Sequence, residues 1–563
     1  MSYFSLAHES ADSTDTLAND ASAQPNTLQA SDAGLQEAAT ESHDTMEAEG
    51  KAVDLLQDGE DKVQDIKEEV VSATEADGLS PQALKYLQVS LRNIVGKSFA
   101  NKRLPSMEAA EKEDPHSVAR IALEGVVDTI KQFWQAIKNQ VGKFWNATKD
   151  WYIKTFDVAN KIIARAKALS ETTNSMTSSP TEKSFTMGGV SLLAVNYSVK
   201  EPNDCIKGLA TLKTILDTIL VNVSKQNQND KADNLLNSAS KLVQAVRSDN
   251  AQSAENLPKI YGSSQIGPAL KGAFIDDAPK YDNLAKIATD PEMQKKLGID
   301  TQSTTYAISE PLPGNKSFFV IRPANDVDPN IAPTSFEETI NLIERIKLYR
   351  WLLSDTSAKT KQMDDELDVK TLMSGQVDQI AGLCEEMGET ILKYKKEFEA
   401  RDKYIQRVVK GFDTIFKELE QDLDHTKGGV EDRNQQASAM NKTSYQDTQA
   451  SNKELDDAKA SGDKARITAA QEKHDKNVAK QSAAAGTYHT SMRSLDEANK
   501  NLEANKSKKS TDEIDKTCRK LAQSVLGLFK KNITISGSIV NHTVKTCNAF
   551  LSYGEKSSAQ YGG

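Results

Sequence analysis

One apolar stripe of helical period, running from Ser117 to about Leu169, constrains the fold of this chain more than any other feature. Aromatic and aliphatic residues recur there every three to four positions, as they do on the buried face of a helix. The positions expected to pack are Phe133, Trp134, Ile137, Val141, Phe144, Trp145 and Trp151. The sequence therefore predicts an amphipathic helical domain over residues 80–170, with Ser117 capping its longest helix.

This long helix has two interpretations. A helix with Trp and Phe on one face and lysines on the other can lie in a membrane surface, as in an α-type pore-forming protein. A helix that buries an aromatic face in a bundle shows the same pattern. We favour the core helix, because acidic residues such as Glu124 and Asp128 dilute the positive charge and neighbouring helices can cover the stripe.

The rest of the chain is polar and poor in aromatic residues, which favours long helices over a large sheet. Hydrophobic residues make up 38% of the 563 positions and aromatic residues 6%. We expect a linker at 171–183, a mixed α/β segment at 184–333, a helical bundle at 334–427, a polar helical hairpin or partly disordered segment at 428–513, and a C-terminal amphipathic helix and tail at 514–563. The predicted fold is mainly α, with multi-helix bundles, a long polar helical hairpin and a small antiparallel β insertion.

Three segments supply the strand candidates of the β insertion. Residues 184–199 have two β-rich runs around Gly188 and Gly189, which is typical of a hairpin. Residues 304–309 and 317–323 are two further candidates, separated by a loop rich in Pro and Gly. We expect these segments to form one antiparallel sheet of three or four strands. The bundle at 334–427 is expected to be helical throughout, apart from a break near Ser354–Thr360.

The acidic N-terminal segment, residues 1–79, is predicted to be disordered. Residues 1–75 hold 18 acidic and 3 basic side chains, a net charge of −15 in a chain whose total is −11. A segment of low hydrophobicity and high net charge cannot bury enough apolar surface to offset the entropy of ordering. Removing it would leave a net charge of +4. The segment is therefore either a solubilising tail or a removable propeptide.

No catalytic or metal-binding pattern stands out in the sequence. The four cysteines are Cys205, Cys384, Cys518 and Cys547, and no two of them form a CxxC pair. Nucleotide-binding glycine motifs and the common hydrolase motifs are absent, and the histidines are scattered. No stretch approaches the ~20 apolar residues that a membrane span requires. We therefore expect a protein that is not an enzyme and that uses no cofactor, metal or small-molecule substrate.

A short pattern (a small residue, any residue, Glu and a second small residue) is concentrated near the N-terminus. It occurs five times in the first 125 residues and nowhere else in the chain. The peptide bonds that follow its glutamates are Glu9–Ser10, Glu41–Ser42, Glu75–Ala76, Glu108–Ala109 and Glu124–Gly125.

The pattern resembles the site cut by the prohead proteases of large tailed bacteriophages, both phiKZ-type and T4-like. The block PSMEAAEKEDPHSVARIALEGVVDTIKQFWQAIKNQVGKFW, residues 105–145, resembles the segment that the inner-head proteins of these phages share. The resemblance covers residues 1–170. It implies a helical virion protein of the head interior, assembled in the host cytoplasm, with the prohead protease and other head proteins as partners. After the cut, a net charge of only +4 predicts weak, non-specific contact with packaged DNA.

Among the five bonds we expect cleavage between Glu75 and Ala76, with Glu124–Gly125 as the competing site. A protease needs an extended substrate, which the segment 1–79 is predicted to provide, whereas a cut after Glu124 would unwind the long helix. Peptides from residues 1–75 are then expected to be missing from virions. The alternatives are a membrane-acting helical protein and a cytoplasmic helical scaffold or adaptor that binds partners through residues 428–513.

Overall fold

Helices form most of the structure. The computed structural model describes residues 32–95, 104–112, 114–177, 179–225, 229–247, 257–274, 285–287, 290–299, 304–323, 333–359, 363–364, 366–424, 428–506 and 509–561. In chain order the α-helices are α1 (Asp32–Glu75), α2 (Pro81–Val95), α3 (Met107–Lys112), α4 (Pro115–Thr173), α5 (Pro202–Lys225), α6 (Asn229–Arg247), α7 (Leu257–Ser264), α8 (Ile266–Phe274), α9 (Pro291–Lys296), α10 (Phe336–Lys347), α11 (Ser374–Asp424), α12 (Gly428–Ser461), α13 (Lys464–Lys506) and α14 (Lys509–Ser558).

Two small antiparallel sheets accompany the helices. Their strands are β1 (Ser184–Gly188), β2 (Ala285–Ile287), β3 (Thr304–Ser309), β4 (Lys316–Pro323), β5 (Arg350–Asp355) and β6 (Glu366–Lys370). Strands β2 to β5 form one sheet in that order, and β1 pairs with β6 in the other. The larger sheet buries Tyr306, Phe319 and Ile321 against Met293 of α9. The prediction of a mainly α fold with a minor antiparallel β part is confirmed.

The chain divides into two units. Unit 1 comprises Met1–Ala239, Tyr261–Lys410 and Thr517–Gly563, and unit 2 comprises Ser240–Ile260 and Gly411–Lys516. The amphipathic helix α4 and both sheets therefore belong to unit 1, and the polar hairpin of α12 and α13 belongs to unit 2.

Aromatic side chains from three helices meet in the core of unit 1. The ring of Tyr152 on α4 lies 4.1 Å from that of Phe398 on α11. Trp145 lies 5.0 Å from Phe398 and 5.5 Å from Phe529 on α14. All seven side chains expected to pack on α4 are at most 5% exposed. The aromatic stripe is thus covered by other helices of the same unit, as a core helix requires.

The start of α4 differs in one detail from the expectation. Asp114, not Ser117, is the N-cap residue: its Oδ2 accepts a hydrogen bond from the Ser117 backbone N–H at 3.1 Å. Pro115 follows at the first helical position, where its missing N–H costs nothing. The Asp-Pro start therefore takes the capping role that the hydroxyl of Ser117 was predicted to have.

The expectation that residues 1–79 are disordered is wrong for residues 32–75, which form helix α1. Residues 1–31 lie outside the described residues. The buried positions of α1 recur at seven-residue intervals, with a second series three residues on. The first series is Ala39, Met46, Val53, Glu60 and Lys67, and the second includes Leu56, Val63 and Val70. Average composition hid this stripe, because two positions of the first series are charged.

Residues 184–199 do not form the hairpin predicted for them. The first run is β1, and it pairs in register with β6, with Ser184 opposite Lys370. Gly189 adopts a left-handed conformation with φ of 74° and leads into a 3-10 helix, Val190–Leu192. The second run forms only an isolated bridge between Val195 and Ser198. The glycine pair therefore turns the chain away from β1 instead of folding it back.

The segment 334–427, predicted as a helical bundle with a break near Ser354–Thr360, contains strands β5 and β6 between α10 and α11. Strand β5 extends the larger sheet at its edge, where Phe319 faces Leu352 and Val320 faces Trp351. The run Arg350–Asp355 is apolar enough to cover the sheet face as a strand, and this long-range pairing overrides the helical pattern that flanks it.

Unit 2 contains the predicted polar helical hairpin, which the structure confirms as α12 and α13. Its seam is narrow: Leu455 and Ala458 of α12 pack against Ala470 of α13, with Ile467 partly buried beside them. Polar contacts extend the seam, among them an ion pair of 2.6 Å between Lys473 and Glu454. Small side chains on the facing sides let two otherwise polar helices approach each other.

Helix α14 runs unbroken to Ser558 and holds a buried histidine, which makes the stability of the protein depend on pH. His542 Nε2 lies 3.0 Å from the carbonyl oxygen of Pro313, and burial lowers the pKa of His542 to about 4. The unfolded chain takes up this proton near pH 6.5. The contribution of neutral His542 to the free energy of unfolding is therefore complete above pH 6.5. It is lost as pH falls through 4, by up to about 3 kcal/mol.

We expect His542→Gln to flatten the fall in the free energy of unfolding between pH 6.5 and 4, measured by urea denaturation at a series of pH values. His116, which is exposed on α4 in the same unit, supplies the matched control, because His116→Gln removes a histidine without removing a buried one. Equal slopes for the wild type and His542→Gln would contradict the assignment.

Candidate functional site

The bond between Glu75 and Ala76 lies at the end of helix α1. The Ala76 N–H donates to the Ser72 carbonyl at 3.1 Å and the Gly78 N–H donates to the Ala73 carbonyl at 2.9 Å, which closes the helix. Gly78 has a φ of +80°, and a Cβ on it would lie 2.5 Å from the Pro115 carbonyl carbon. Ala76 and Asp77 are exposed, whereas Leu79 is buried. The bond is therefore followed at once by an exposed turn.

The other four candidate bonds have different surroundings. Glu9–Ser10 lies outside the described residues. Glu41–Ser42 lies inside α1, where Ser42 is buried and its Oγ accepts a hydrogen bond from Lys154 Nζ at 2.5 Å. Glu108–Ala109 lies in the short helix α3, with Glu108 exposed. Glu124–Gly125 lies inside α4, where the carbonyl of Gly125 accepts from Thr129 Oγ1. Among these described bonds, only Glu75–Ala76 follows the last residue of a helix, and Glu108–Ala109 lies in the first turn of α3.

Helix α1 lies in a groove between α4 and α14, which we call the α1 groove. Eight of its apolar side chains are buried there: Ala39, Met46, Ala52, Val53, Leu56, Val63, Ile66 and Val70. The ring of His43 meets Trp151 of α4 edge-on at 5.4 Å. On the α14 side, a Cβ on Gly537 would lie 3.0 Å from the terminal methyl of Met46.

The polar contacts of the groove join acidic residues of α1 to basic residues of α14. Asp61 pairs with Lys520 at 2.7 Å, and Asp54 pairs with Lys530. Carboxyl groups of α1 thus face ammonium groups of α14 at Lys520 and Lys530. This complementarity offsets the charge that argued against folding when the segment was considered alone.

Glu60 is the buried member of this set. Its side chain is 1% exposed, its Oε1 lies 3.4 Å from Arg519 Nη1, and its Oε2 accepts from Gln523 Nε2 at 3.0 Å. Burial raises the pKa of Glu60, while Arg519 and Gln523 both favour its ionised form. A buried carboxyl group with two partners on one neighbouring helix fixes the register of α1 against α14.

A cavity of about 590 Å³ lies beside the groove. Its walls come from α1, from α14 and from β5 with the end of α10, and they include Trp351 and Lys531. Lys531 donates a hydrogen bond to the carbonyl oxygen of Tyr349. Burial, together with the nearby charges of Arg350 and Lys530, lowers the pKa of Lys531 to about 7.

The residues that bind α1 were missed at the sequence level, although one signal for them exists. Arg519, Lys520 and Lys530 lie far from α1 in the sequence and form no motif of their own. The seven-residue spacing of the buried positions of α1 is visible in the sequence and indicates a helix with one packed face. That signal could have predicted a docked helix in place of a disordered segment.

Neither a membrane-spanning helix nor a metal-binding group occurs among the described residues. Within them, no helix is long and apolar enough to cross a membrane. The same residues contain no group of three His, Cys, Asp or Glu side chains arranged to hold a metal ion. The four cysteines are buried as free thiols, and burial raises the pKa of Cys205 to about 11.

A protein-family model matches this chain. The model of the phiKZ-like phage internal head proteins matches residues 37–461, which begin inside α1 and include α4, both sheets and the start of the polar hairpin. No curated protein and no solved structure matches the chain. Because the family model covers well over half of the sequence, this chain belongs to the phiKZ-like phage internal head proteins.

Proposed function

We propose that this structural protein of the phage head interior is assembled into the prohead and cut by a prohead protease between Glu75 and Ala76. The observation that carries the proposal is the position of this bond at a helix end, next to an exposed turn. A protease must draw several residues of its substrate into an extended form. Fraying the last turn of α1 is easier than opening the middle of a packed helix.

The competing bond after Glu124 is less accessible. It lies in the third turn of α4, a helix of 59 residues whose aromatic face is buried, and Gly125 is itself buried. The bond after Glu41 is similarly placed within α1. Local structure therefore favours the bond after Glu75 over the bonds after Glu41 and Glu124.

The partners of this function are the prohead protease, for which the chain is a substrate, and other head proteins. Contact with packaged DNA is weaker than contact with these protein partners, because residues 76–563 carry a net charge of only +4 and hold no dense basic tract. In this proposal the protein acts as a structural component rather than an enzyme. It stays with the genome in the head or leaves with it at ejection.

Terminal mass spectrometry of denatured, purified virions tests the cleavage. We expect the dominant new N-terminus to be Ala76. In phage that carry Glu75→Gln this terminus should be lost, because the neutral amide no longer presents the acidic side chain of the pattern. Glu69→Gln, a change at an exposed position of the same helix, is the matched control and should leave the cut in place. Abundant peptides that span Glu75 and Ala76 in mature virions would contradict the proposal.

A further inference from the structure

We infer that helix α1 stays bound in the α1 groove after the bond between Glu75 and Ala76 is cut, so that the product is a two-chain assembly rather than a shortened chain. The inference rests on the proposed cleavage and adds the fate of the severed segment. It also changes two expectations from the sequence, because residues 32–75, with 14 acidic and 3 basic side chains, should then remain with the cut protein and keep its net charge negative.

The cut removes almost none of the contacts that hold α1. Val70, the last buried apolar residue of the helix, lies five positions before the bond. Hydrolysis adds one water across the bond and leaves a carboxylate on Glu75 and an amino group on Ala76. The interactions lost are the two backbone hydrogen bonds that close the helix, from Ala76 and Gly78. The new carboxylate lies at the helix C-terminus, where the dipole disfavours it only slightly.

The apolar contacts lie along the whole of α1 and are remote from the cut. Met46, which is completely buried, reaches the backbone of α14 at Gly537. Gly50 brings α1 close to Phe144 of α4, where a Cβ would lie 3.4 Å from the ring. A severed α1 would have to expose this entire face to water in order to leave.

The polar contacts make the groove selective for an acidic helix. The carboxyl groups of Asp54, Glu60 and Asp61 all lie on α1, and their basic partners all lie on α14. If α1 left, Arg519 would lose the carboxylate that it faces in the core and Lys530 would lose Asp54. Lys520 would keep only Glu344, 3.9 Å away. The occupant that fits the groove is therefore an amphipathic acidic helix with buried positions at seven-residue spacing, which is α1 itself.

An engineered cut tests the inference without the phage protease. The recognition sequence of a site-specific protease is inserted between Ala76 and Asp77 of the full chain, at the exposed turn and before the packed Gly78. After complete digestion, we expect the N-terminal fragment to co-elute with the rest of the protein in gel filtration at micromolar concentration. Dilution series then give the dissociation constant of the fragment.

Matched variants identify the groove as the cause of retention. Met46→Ala should weaken binding at least about tenfold, because it removes a buried side chain that contacts α14. Glu69→Ala, at an exposed position of α1, should change it less than about twofold. Lys530→Ala leaves the apolar face intact and should weaken binding about twofold to fivefold, so it keeps the test informative if Met46→Ala does not fold.

Elution of the wild-type fragment apart from the rest of the protein at micromolar concentration would overturn the inference. So would equal affinities for the wild type, Met46→Ala and Lys530→Ala. The outcome is independent of the proposed function, which depends on the Ala76 terminus in virions. A virion with that terminus but a free fragment in the engineered test would refute retention alone, and the absence of that terminus would refute the cleavage alone.

Discussion

Replacing Trp151 with alanine is expected to lower the free energy of unfolding of unit 1 by about 3–5 kcal/mol. Trp151 is completely buried, and its ring lies 4.2 Å from that of Tyr152 and 5.4 Å from that of His43. The truncation would leave a cavity between α1 and α4 that the rigid helices cannot close. Urea denaturation followed by near-UV circular dichroism measures the loss.

Ile153→Ala provides the matched control for this substitution. Ile153 lies two residues further along α4 and is 60% exposed, so its truncation should change the free energy of unfolding by no more than about 0.5 kcal/mol. Similar losses for Trp151→Ala and Ile153→Ala would mean that the buried face of α4 is not the one described.

The second large effect is expected at Glu60. Removing this carboxyl group by Glu60→Ala leaves the guanidinium of Arg519, which is 7% exposed, buried without its carboxylate, and should cost about 3–5 kcal/mol. The loss of the hydrogen bond from Gln523 adds to it. The effect should appear in the same denaturation experiment, since Glu60 and Arg519 both belong to unit 1.

Two further substitutions separate a buried charge from a general loss of contacts. The double variant Glu60→Ala with Arg519→Met removes both charges and should recover most of the loss, because the buried charge that Glu60 faces is removed together with its carboxyl group. Glu201→Ala, also in unit 1, breaks the pair with Lys370, whose side chains are both at least half exposed, and it should cost about 0.2–1 kcal/mol. A double variant as unstable as Glu60→Ala alone would show that the charge of Arg519 is not the cause.

How far the sequence predicts this fold depends on whether the signal is local. The stripe around Trp134 and Trp145 is strong because each apolar position supports its neighbours at helical spacing, and α4 follows from it. Strands β3 and β4 were recognisable because each is a short β-rich run and a loop with Pro and Gly separates them. Where a segment pairs with its neighbour in the sequence, as β3 does with β4, the residue pattern was sufficient to predict the element.

Helix α1 shows how the average charge and hydrophobicity of a segment can wrongly predict disorder. Its acidic residues suggested a chain that repels itself, but their counter-charges lie on α14, more than 400 residues away. Glu60 and Lys67 also occupy buried positions that an apolar stripe would normally fill, which weakens the seven-residue signal. Neither fact can be read from residues 1–79 alone.

The pairing of β1 with β6 could not be predicted from the sequence for a related reason. The strand itself was found, but Ser184 faces Lys370, almost 190 positions later, and nothing local selects that partner over the run next to it. The candidate cleavage bonds were the opposite case: a four-residue pattern locates them completely. What the pattern could not supply was the local structure that distinguishes the end of α1 from the interior of α4.

The distribution of aromatic residues between the two units has a practical consequence. All four tryptophans, at positions 134, 145, 151 and 351, lie in unit 1, and the hairpin of α12 and α13 carries only Tyr445 and Tyr488. Indole emission therefore follows unit 1 alone, whereas the far-ultraviolet signal of helices follows both units. The hairpin buries few apolar side chains, so the two units need not melt together and one free energy does not describe the whole chain. The difference between the melting curve from indole emission and the curve from the far-ultraviolet signal therefore reports the unfolding of the hairpin, which has no tryptophan.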